Sequence, residues 1–436
     1  MLDKKKNERE LATSILIDVL EAGAYANIAL RRAFVGLSEA DAIDPRGRAF
    51  VTDLVNETLR NLLLIDQVIG SVSKTPIEKM KPFIRNLLRI SVCQIKHMER
   101  IPSRAAVNEA VNLTKARGLA DLSGFVNGVL RAIDRQKNIV HTDIALKYSY
   151  PKWLYSSLIR WLGETEARVF CENSHHPPMV IILTNIHKTT TTNLHNLLEA
   201  QGVKCEPLAD MEGLSEEWRS RFLTLRQSGD ITKLPPFQEG LFFVMDPGAI
   251  SAIEALSPKP GQTIIDICAA PGGKSFAAAC QMQNTGQIHA FDIHPHRVQL
   301  INQTRKRLGL SIIKPEEKDA LMHDPSLNDS ADAVLLDAPC SGLGTIRKHP
   351  EIKYTRLPKD ITALAQKQYE MLTISAKYVK PGGTLVYCTC TITPEENMDN
   401  INQFLKNNEN YKLDNARQIL PSSASDGFFT AKMVRL

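Results

Sequence analysis

Apolar residues recur at helical spacing through the first third of the chain. Leu11, Ile15, Val19 and Leu20 fall on one face of a helix over residues 8–22. Phe50, Val51, Leu54, Val55 and Leu59 repeat the pattern over 48–64, and Phe83, Leu87, Ile90 and Ile95 repeat it over 79–97. Pro102-Ser103 opens a further helix whose stripe is Ala106, Val107, Ala110 and Val111, with Gly118 as its C-cap. Leu122, Phe125, Val126, Val129, Leu130 and Ile133 form the stripe of a last one. The spacing predicts an all-α domain over residues 1–140.

The pattern then changes. Tyr148 to Trp153 leads into a helix through Leu158, Trp161 and Leu162; Met179–Leu183 and Gly240–Val244 read as strands, and Thr190–Gln201 as a helix. This predicts a small α/β subdomain over 145–248, with His175-His-Pro-Pro178 as an exposed turn. From residue 249 short apolar strands alternate with helical stretches: Thr263–Ile267, Gln287–Phe291, Ser311–Lys314, Ala333–Leu336 and Thr384–Tyr387. That alternation predicts a Rossmann-like, doubly wound α/β sheet over 249–436, with ligands at the carboxyl ends of its strands.

Composition narrows the class. A hydrophobic fraction of 43% and a charged fraction of 23% are those of a globular protein, and no apolar run approaches a membrane span. The chain starts without a secretory signal pattern, so a cytoplasmic protein is expected; a monomer is expected as well. Eight cysteines are scattered over 436 residues, which reads as free thiols in a reducing compartment. No CxxC pair is present, Cys388-Thr-Cys390 is too tight for a zinc knuckle, and no metal is expected. Residues 1–140 hold 22 Lys and Arg against 16 Asp and Glu, and Lys74–Arg117 holds ten against three. That local excess fits a polyanion partner, or a solvated helix face.

Candidate chemistry lies at the strand ends. After the first strand, Asp266 precedes Cys268-Ala269-Ala270-Pro271-Gly272-Gly273-Lys274, a small-residue turn that lets a ligand approach the backbone and opens a helix. Asp292 ends the second strand about twenty residues further on, where an acid can accept ribose hydroxyls, and Asp319 follows the third, within reach of an adenine edge. A Walker loop would need Gly at position 268, which is Cys, and the dinucleotide Gly-x-Gly-x-x-Gly is absent. The carboxylate, ribose and adenine of S-adenosylmethionine suit these residues better.

Asp337-Ala-Pro-Cys340 ends the fourth strand and Thr389-Cys390 ends the fifth, so two thiols and a carboxylate converge beside the cofactor turn. A buried strand-end cysteine is usually a small hydrophobe. Its place on the ligand-binding face favours chemistry that needs a thiolate, such as methylation of carbon 5 of a pyrimidine. That carbon is a poor nucleophile until a thiolate adds to carbon 6, and a carboxyl group at N3 steadies the charge moving into the ring. A free thiol has a pKa of about 8.5, so its surroundings must activate it. Spacing alone leaves open which cysteine attacks.

Several stretches resemble known families. Ile101-Pro-Ser-Arg-Ala-Ala-Val-Asn-Glu-Ala-Val111 with Phe125-Val-Asn-Gly-Val-Leu-Arg131 resembles the helical RNA-binding domain of the NusB antitermination factor. Within it, Asn108, Glu109 and Asn127 read as buried or capping groups that fix helix packing. Cys268–Lys274, Asp337-Ala-Pro-Cys-Ser341, Arg347-Lys-His-Pro-Glu-Ile-Lys353, Thr389-Cys390, Pro394-Glu-Glu-Asn397 and Asp426-Gly-Phe-Phe429 together resemble the RNA cytosine-5 methyltransferases. Over nearly its full length the chain is similar to the bacterial Fmu/Sun (RsmB) family.

The resemblance implies an S-adenosylmethionine-dependent enzyme acting on 16S ribosomal RNA at the position conventionally numbered cytosine 967. It implies an all-α NusB-like RNA-binding domain, an RRM-like α/β subdomain and a catalytic sheet. Cys390 matches the family's nucleophile and Cys340 its release-assisting cysteine. Asp337 contacts the target base or the cofactor, and Cys268, Ala269, Ala270, Pro271, Gly272, Gly273, Lys274, Asp292 and Asp319 match its cofactor positions. Arg347, Lys348 and His349 are expected to shape the RNA side. Met245-Asp-Pro-Gly-Ala249 departs from the family pattern at Pro247 and Gly248, which bears on how the middle subdomain docks. The alternatives are another rRNA or tRNA cytosine, a non-catalytic RNA-binding factor, and an NTPase, the last disfavoured by Cys268.

Overall fold

The computed structural model describes residues 7–37, 43–136, 142–209, 211, 213–226 and 229–436. The lysine-containing start, residues 1–6, and the expected boundary at residue 140 lie outside the described residues. The chain forms two units: Met1–His175 with Lys348–Thr355, and His176–Arg347 with Arg356–Leu436.

The first unit is helical. Asn7 caps Glu8–Leu20 by accepting from the Arg9 and Glu10 N–H groups, and Asp44 caps Pro45–Arg60 ahead of a proline at the first helical position. The apolar stripes meet in one core: Leu11, Ile15, Leu16, Val51, Leu54, Leu87, Val126 and Leu130 are all nearly inaccessible to water. Truncating one of them, Leu54→Ala, costs about 2–5 kcal/mol. The helix expected over 48–64 is two, Pro45–Arg60 and Leu62–Val72. Asn61 breaks it, its side chain donating to the Glu57 carbonyl and carboxylate rather than continuing the ladder. Ala26–Val35 is a helix that periodicity did not mark, because only Ala26, Ala29 and Leu30 are buried in it. Its Ala26 N–H donates to Glu351 Oε1 at 3.0 Å, so the Lys348–Thr355 segment caps it from far along the chain.

Two of the three polar residues expected to fix helix packing sit elsewhere. Asn108 is exposed, and Asn127 is half-buried, accepting from Arg131 one turn on. Glu109 holds a long-range contact, receiving the Asn7 amide at 2.9 Å.

The second unit contains two sheets. β1 (Val180–Thr184), β2 (Lys204–Pro207), β3 (Phe222–Arg226) and β4 (Phe242–Val244) form an antiparallel sheet in the order β2-β3-β1-β4. β5 (Thr263–Ile267), β6 (Gln287–Asp292), β7 (Ile313–Glu317), β8 (Ala331–Asp337), β9 (Val379–Thr389), β10 (Tyr411–Ile419) and β11 (Phe428–Arg435) form the larger one, ordered β10-β11-β9-β8-β5-β6-β7. β5 to β9 pair in parallel, while β10 and β11 are antiparallel additions at the β9 edge. β5 buries both faces, Ile264 in one core and Ile265 and Ile267 in the other, which is why it reads as a continuous apolar run.

β5 is followed in space by β6 on one side and β8 on the other. This reversal of strand order opens a crevice beyond their carboxyl ends. The small sheet packs on the large one through Phe243 and Phe276, whose rings meet edge to face at 5.8 Å. At the sequence departure, Asp246 caps Pro247–Ile250 and its carboxylate also accepts from Ser425 Oγ and the Asp426 N–H. A Cβ at Gly248 would lie 2.5 Å from Ser425 Oγ, so glycine permits that approach. Among the described residues, no helix is long and apolar enough to cross a membrane.

Candidate active site

The turn after β5 is built from unusual backbone. Cys268 has φ +61° and Gly272 φ +105°, and the Ala270–Pro271 bond is cis. A Cβ at Gly272 would approach the Phe276 ring to 2.4 Å, so both conformation and contact require glycine there. Below the turn, Asp266 is 1% exposed and receives the Ser275 hydroxyl. Burial raises its carboxyl pKa to about 7, against the opposing pull of the Ser275 bond. Burial, with the Asp337 charge second, also pushes the Cys268 thiol up to about 12, which keeps it a neutral SH group.

Asp292 ends β6, 4% exposed, with one oxygen on the His294 N–H at 2.9 Å and the other 4.0 Å from Arg297. Asp319 is half-buried beyond β7 and accepts the Leu321 N–H at 2.9 Å. Each spends one oxygen on its own loop, which fixes the other in direction.

Lys274 does not continue along its helix face into solvent. Its ammonium donates to Asp337 Oδ2 at 2.7 Å and lies 4.8 Å from the Phe428 ring centre. Burial opposes its charge, yet the Asp337 carboxylate outweighs burial and raises the pKa above the usual lysine range. The turn after β5 and the end of β8 are therefore joined by an ion pair.

Cys340 and Cys390, from the loop after β8 and the end of β9, bring their sulfurs to 3.3 Å. Both are half-buried free thiols. The contact with Cys390, then burial, raises the Cys340 pKa well above the ordinary thiol value, so Cys340 holds its proton. Cys388, two residues before Cys390, is fully buried, 3.5 Å from Asp337 Oδ1. Burial and the Asp337 charge hold it protonated as well. Cys268, Cys340 and Cys388 are thus all held as SH groups.

Residues whose individual roles the sequence left unassigned hold the two cysteine loops together. Glu396 is wholly buried and accepts four hydrogen bonds, from the Ser341 N–H, Ser341 Oγ, Gln368 Nε2 and Thr393 Oγ1, between 2.6 and 2.9 Å. Ser341 follows Cys340 and Thr393 lies three residues after Cys390, so one carboxylate sets the separation of both loops. Asn397 adds a second tie, accepting from Thr389 Oγ1 at 2.6 Å. The Pro394-Glu-Glu-Asn397 motif was the available signal, but nothing in its spacing indicates Gln368 as a partner. The Gly344 N–H donates to the Cys390 carbonyl and the Gly427 N–H to the Gly344 carbonyl, so the 421–428 loop joins the same bundle.

Arg347 is not at a solvent-facing RNA surface. It is 2% exposed, donates to the Ser422 and Ser423 carbonyls and lies 3.4 Å from Asp426, which makes it an internal strut. His349 lies 3.7 Å from the buried Glu351 in the helical unit.

Known proteins match both parts of the chain. Residues 253–434 match the 16S rRNA methyltransferase RsmB/F family, and residues 6–135 match the NusB family. The chain is 34% identical to the probable ribosomal RNA small subunit methyltransferase B of Bacillus subtilis, with 99% of each covered. It is 31% identical to the ribosomal RNA small subunit methyltransferase B of Proteus mirabilis, with 98% of each covered. The crystal structure of PH0851 superposes with a TM-score of 0.80 at 27% identity, over 98% of both chains. A methyltransferase homolog from Pyrococcus horikoshii superposes with a TM-score of 0.58 at 30% identity, covering 67% of this chain and 98% of that one. A purely RNA-binding factor and an NTPase are set aside by this full-length match. With its strand-end thiols, its ion-paired Asp337 and its helical front region, the chain is an enzyme that belongs to the 16S rRNA methyltransferase RsmB/F family.

Proposed function

We propose that the protein, a cytoplasmic monomer, methylates carbon 5 of a cytosine in 16S rRNA, the position conventionally numbered 967, with S-adenosylmethionine as donor. The observation that carries this is the pair of sulfurs 3.3 Å apart beside the Lys274–Asp337 ion pair, at the carboxyl ends of parallel strands. In this reading the helical residues 1–140 hold the RNA, the four-stranded sheet within 145–248 forms the RRM-like subdomain, and 249–436, apart from Lys348–Thr355 in the helical unit, carry out the chemistry.

The residues fit the donor. Cys268 to Gly273 form a small, backbone-lined turn at a helix start, suited to a carboxylate, and Lys274 fastens that turn to Asp337. Asp292 and Asp319 each keep one oxygen off their own loops, and these would accept from ribose hydroxyls and an adenine amine respectively when the donor is bound. S-adenosylmethionine supplies the electrophilic methyl group when it is bound.

Cys390 is the nucleophile. Its neighbour Cys340 keeps a proton and can hydrogen-bond the Cys390 thiolate, so the pair favours one thiolate over two. Addition of that thiolate to carbon 6 makes carbon 5 nucleophilic. Asp337 offers an acceptor to the exocyclic amine of the base, and the Lys274 ammonium on it offers a donor to N3, where charge accumulates. After carbon 5 has gained the methyl group, its proton passes to water, the electrons of that C–H bond re-form the double bond between carbons 5 and 6, and the Cys390 sulfur departs as a thiolate in contact with Cys340. Turning the base out of its stack is required for either face of the ring to be reached.

The test is transfer of labelled methyl groups to unmethylated small-subunit RNA, followed by mapping of the modified nucleotide. Cys390→Ala is expected to lower turnover at least about a thousandfold. Cys340→Ala should accumulate a covalent protein–RNA adduct on a denaturing gel. Full activity of Cys390→Ala would remove the assigned nucleophile, and label at a different cytosine would overturn the target.

A further inference from the structure

The four-stranded sheet brings together three metal-competent side chains that the reaction above leaves unused. His195 and Glu199 stand four residues apart on the helix Thr191–Ala200 and so share a face. Cys205 lies on β2, the edge strand, just after the chain turns back at Gln201 and Gly202. One ligand atom from each, a ring nitrogen, a carboxylate oxygen and the sulfur, lie within 4.8 Å of one another.

Their present contacts leave much of that donor capacity unspent. Glu199 Oε1 accepts the Cys205 N–H at 3.1 Å, which holds the carboxylate beside the thiol and leaves Oε2 available. The buried sulfur has two long contacts at 3.9 Å, to Glu199 Oε1 and the His195 carbonyl. Among the described residues, no hydrogen bond reaches the His195 ring. Strand capping accounts for Glu199 but gives no reason for a ring nitrogen of His195 to lie within 4.8 Å of a buried thiol.

A nitrogen, a sulfur and an oxygen are the donor set of zinc-class ions. Bonds of about 2.0–2.3 Å in a tetrahedron put ligand atoms roughly 3.3–3.8 Å apart. Closing the observed cluster by about 1 Å is within the side-chain rotation open to an exposed Glu199 and a half-buried His195. Thiolate disfavours the hard cations magnesium and calcium. The geometry points to a divalent, zinc-class ion held by His195, Glu199 and Cys205, with water as fourth ligand, clipping the helix Thr191–Ala200 to the edge strand. On binding, the Cys205 S–H bond breaks, a sulfur–metal bond forms and the proton goes to solvent. A spacing search misses the site because its ligands come from a helix and a strand and contain one cysteine.

Cys340 and Cys390 could also take up a thiophilic ion, so the experiment separates the two places. Full-length reduced, chelator-treated protein is titrated with Co2+ while thiolate-to-cobalt absorption is followed, then with Zn2+ while thermal unfolding is followed. Expected are a thiolate band near one equivalent and a raised melting temperature, both retained in the Cys340→Ser/Cys390→Ser variant. Cys205→Ser should abolish the band, and His195→Gln, a partly exposed change that leaves the core intact, should weaken binding tenfold or more. No thiolate band in the wild type, or a band that survives His195→Gln at full affinity, would overturn the site. So would a band that disappears with Cys340 and Cys390.

Discussion

Among the described residues, two lysines are withdrawn from water, one in each unit, and their ammonium groups shift in opposite directions. Lys353, in the helical unit, is 1% exposed and donates to the Arg60 and Tyr148 carbonyls at 2.9 and 3.0 Å, with the Tyr150 ring centre at 4.9 Å. Burial, reinforced by the Arg60 charge, pushes its pKa down to about 7. Lys274, at the rim of the large sheet, is opposed by burial too, yet its pKa rises because Asp337 sits 2.7 Å away. Carbonyl dipoles and ring faces replace only part of the lost hydration, whereas one carboxylate more than replaces it. Lys274 is thus a fixed charge suited to a reaction centre. Lys353 is a charge that the fold tolerates near neutrality and sheds above it.

The sharpest way to break this contrast is to remove the counter-charge. Asp337→Ala leaves Lys274 buried and unpaired, and is expected to cost about 3–5 kcal/mol of stability. Methyl transfer should fall about a thousandfold or more, since the acceptor beside the base is lost as well. Urea unfolding and labelled-methyl assays measure the two effects. If Asp337→Ala unfolds at the wild-type urea midpoint, Lys274 is not held by that charge.

The second test works on Lys353 through pH. Its folded pKa of about 7 lies below the value of about 10.4 for an unfolded lysine. Below pH 7 both states carry the charge, and the cost of burying it is fully present. Between pH 7 and about 10 the unfolded chain binds the extra proton, so stability rises with pH. Lys353→Met removes this dependence. The stability of the variant relative to wild type should therefore be more favourable at pH 6.5 than at pH 9, by about 2–3 kcal/mol. Urea titrations of both proteins at the two pH values check it, and parallel pH profiles would mean that Lys353 is not buried as a titrating group.

How much of this was readable beforehand depends on whether the signal is periodic or pairwise. The amphipathic helices and the parallel strands β5, β6, β8 and β9 announce themselves, because burial of a stripe or of both faces repeats along the chain. By contrast β7, expected over Ser311–Lys314, runs Ile313–Glu317, its Pro315, Glu316 and Glu317 giving an edge strand no apolar run. The break at Asn61 was invisible, since it depends on one side chain turning to Glu57. β10 carries no strand signal because it mixes Asp414, Asn415 and Arg417 into an edge strand. At the site, Cys340, Cys390 and Asp337 were placed by lying at strand ends. The Lys274 link to Asp337 and the Arg347 link to Asp426 were not, because charge alone does not say whether a residue faces solvent or a partner. Glu396 lay in a motif already noted, but its four donors come from three separate stretches of chain.

Glu396 extends the comparison to a buried carboxylate held by neutral donors. Its Oε1 accepts from the Ser341 and Gln368 nitrogens, which can only donate, and its Oε2 from two hydroxyls, which can reverse. Glu396→Gln can keep its carbonyl on the nitrogens and donate its amide NH2 to the hydroxyls. The expected cost is under about 1 kcal/mol, with near-normal turnover. Glu396→Ala strands both nitrogens, costs about 2 kcal/mol and lowers turnover more than tenfold as Cys340 and Cys390 lose their spacing. Equal damage from the two variants would show that charge, not donor satisfaction, holds the loops.

The smallest expected effect isolates the other neighbour of Lys274. Its ammonium lies 4.8 Å from the Phe428 ring centre, and a ring face attracts a cation only weakly beside a carboxylate at 2.7 Å. Phe428→Leu alone also loses packing, so the attraction must be read from a double-mutant cycle with Lys274→Met. A coupling of about 0.5–1 kcal/mol is expected, well below that of Asp337 with the same lysine. A coupling near zero would leave Asp337 as the whole reason why Lys274 stays charged where Lys353 does not. A coupling equal to that of Asp337 would instead make the ring, and not the counter-charge, the feature that separates the two lysines.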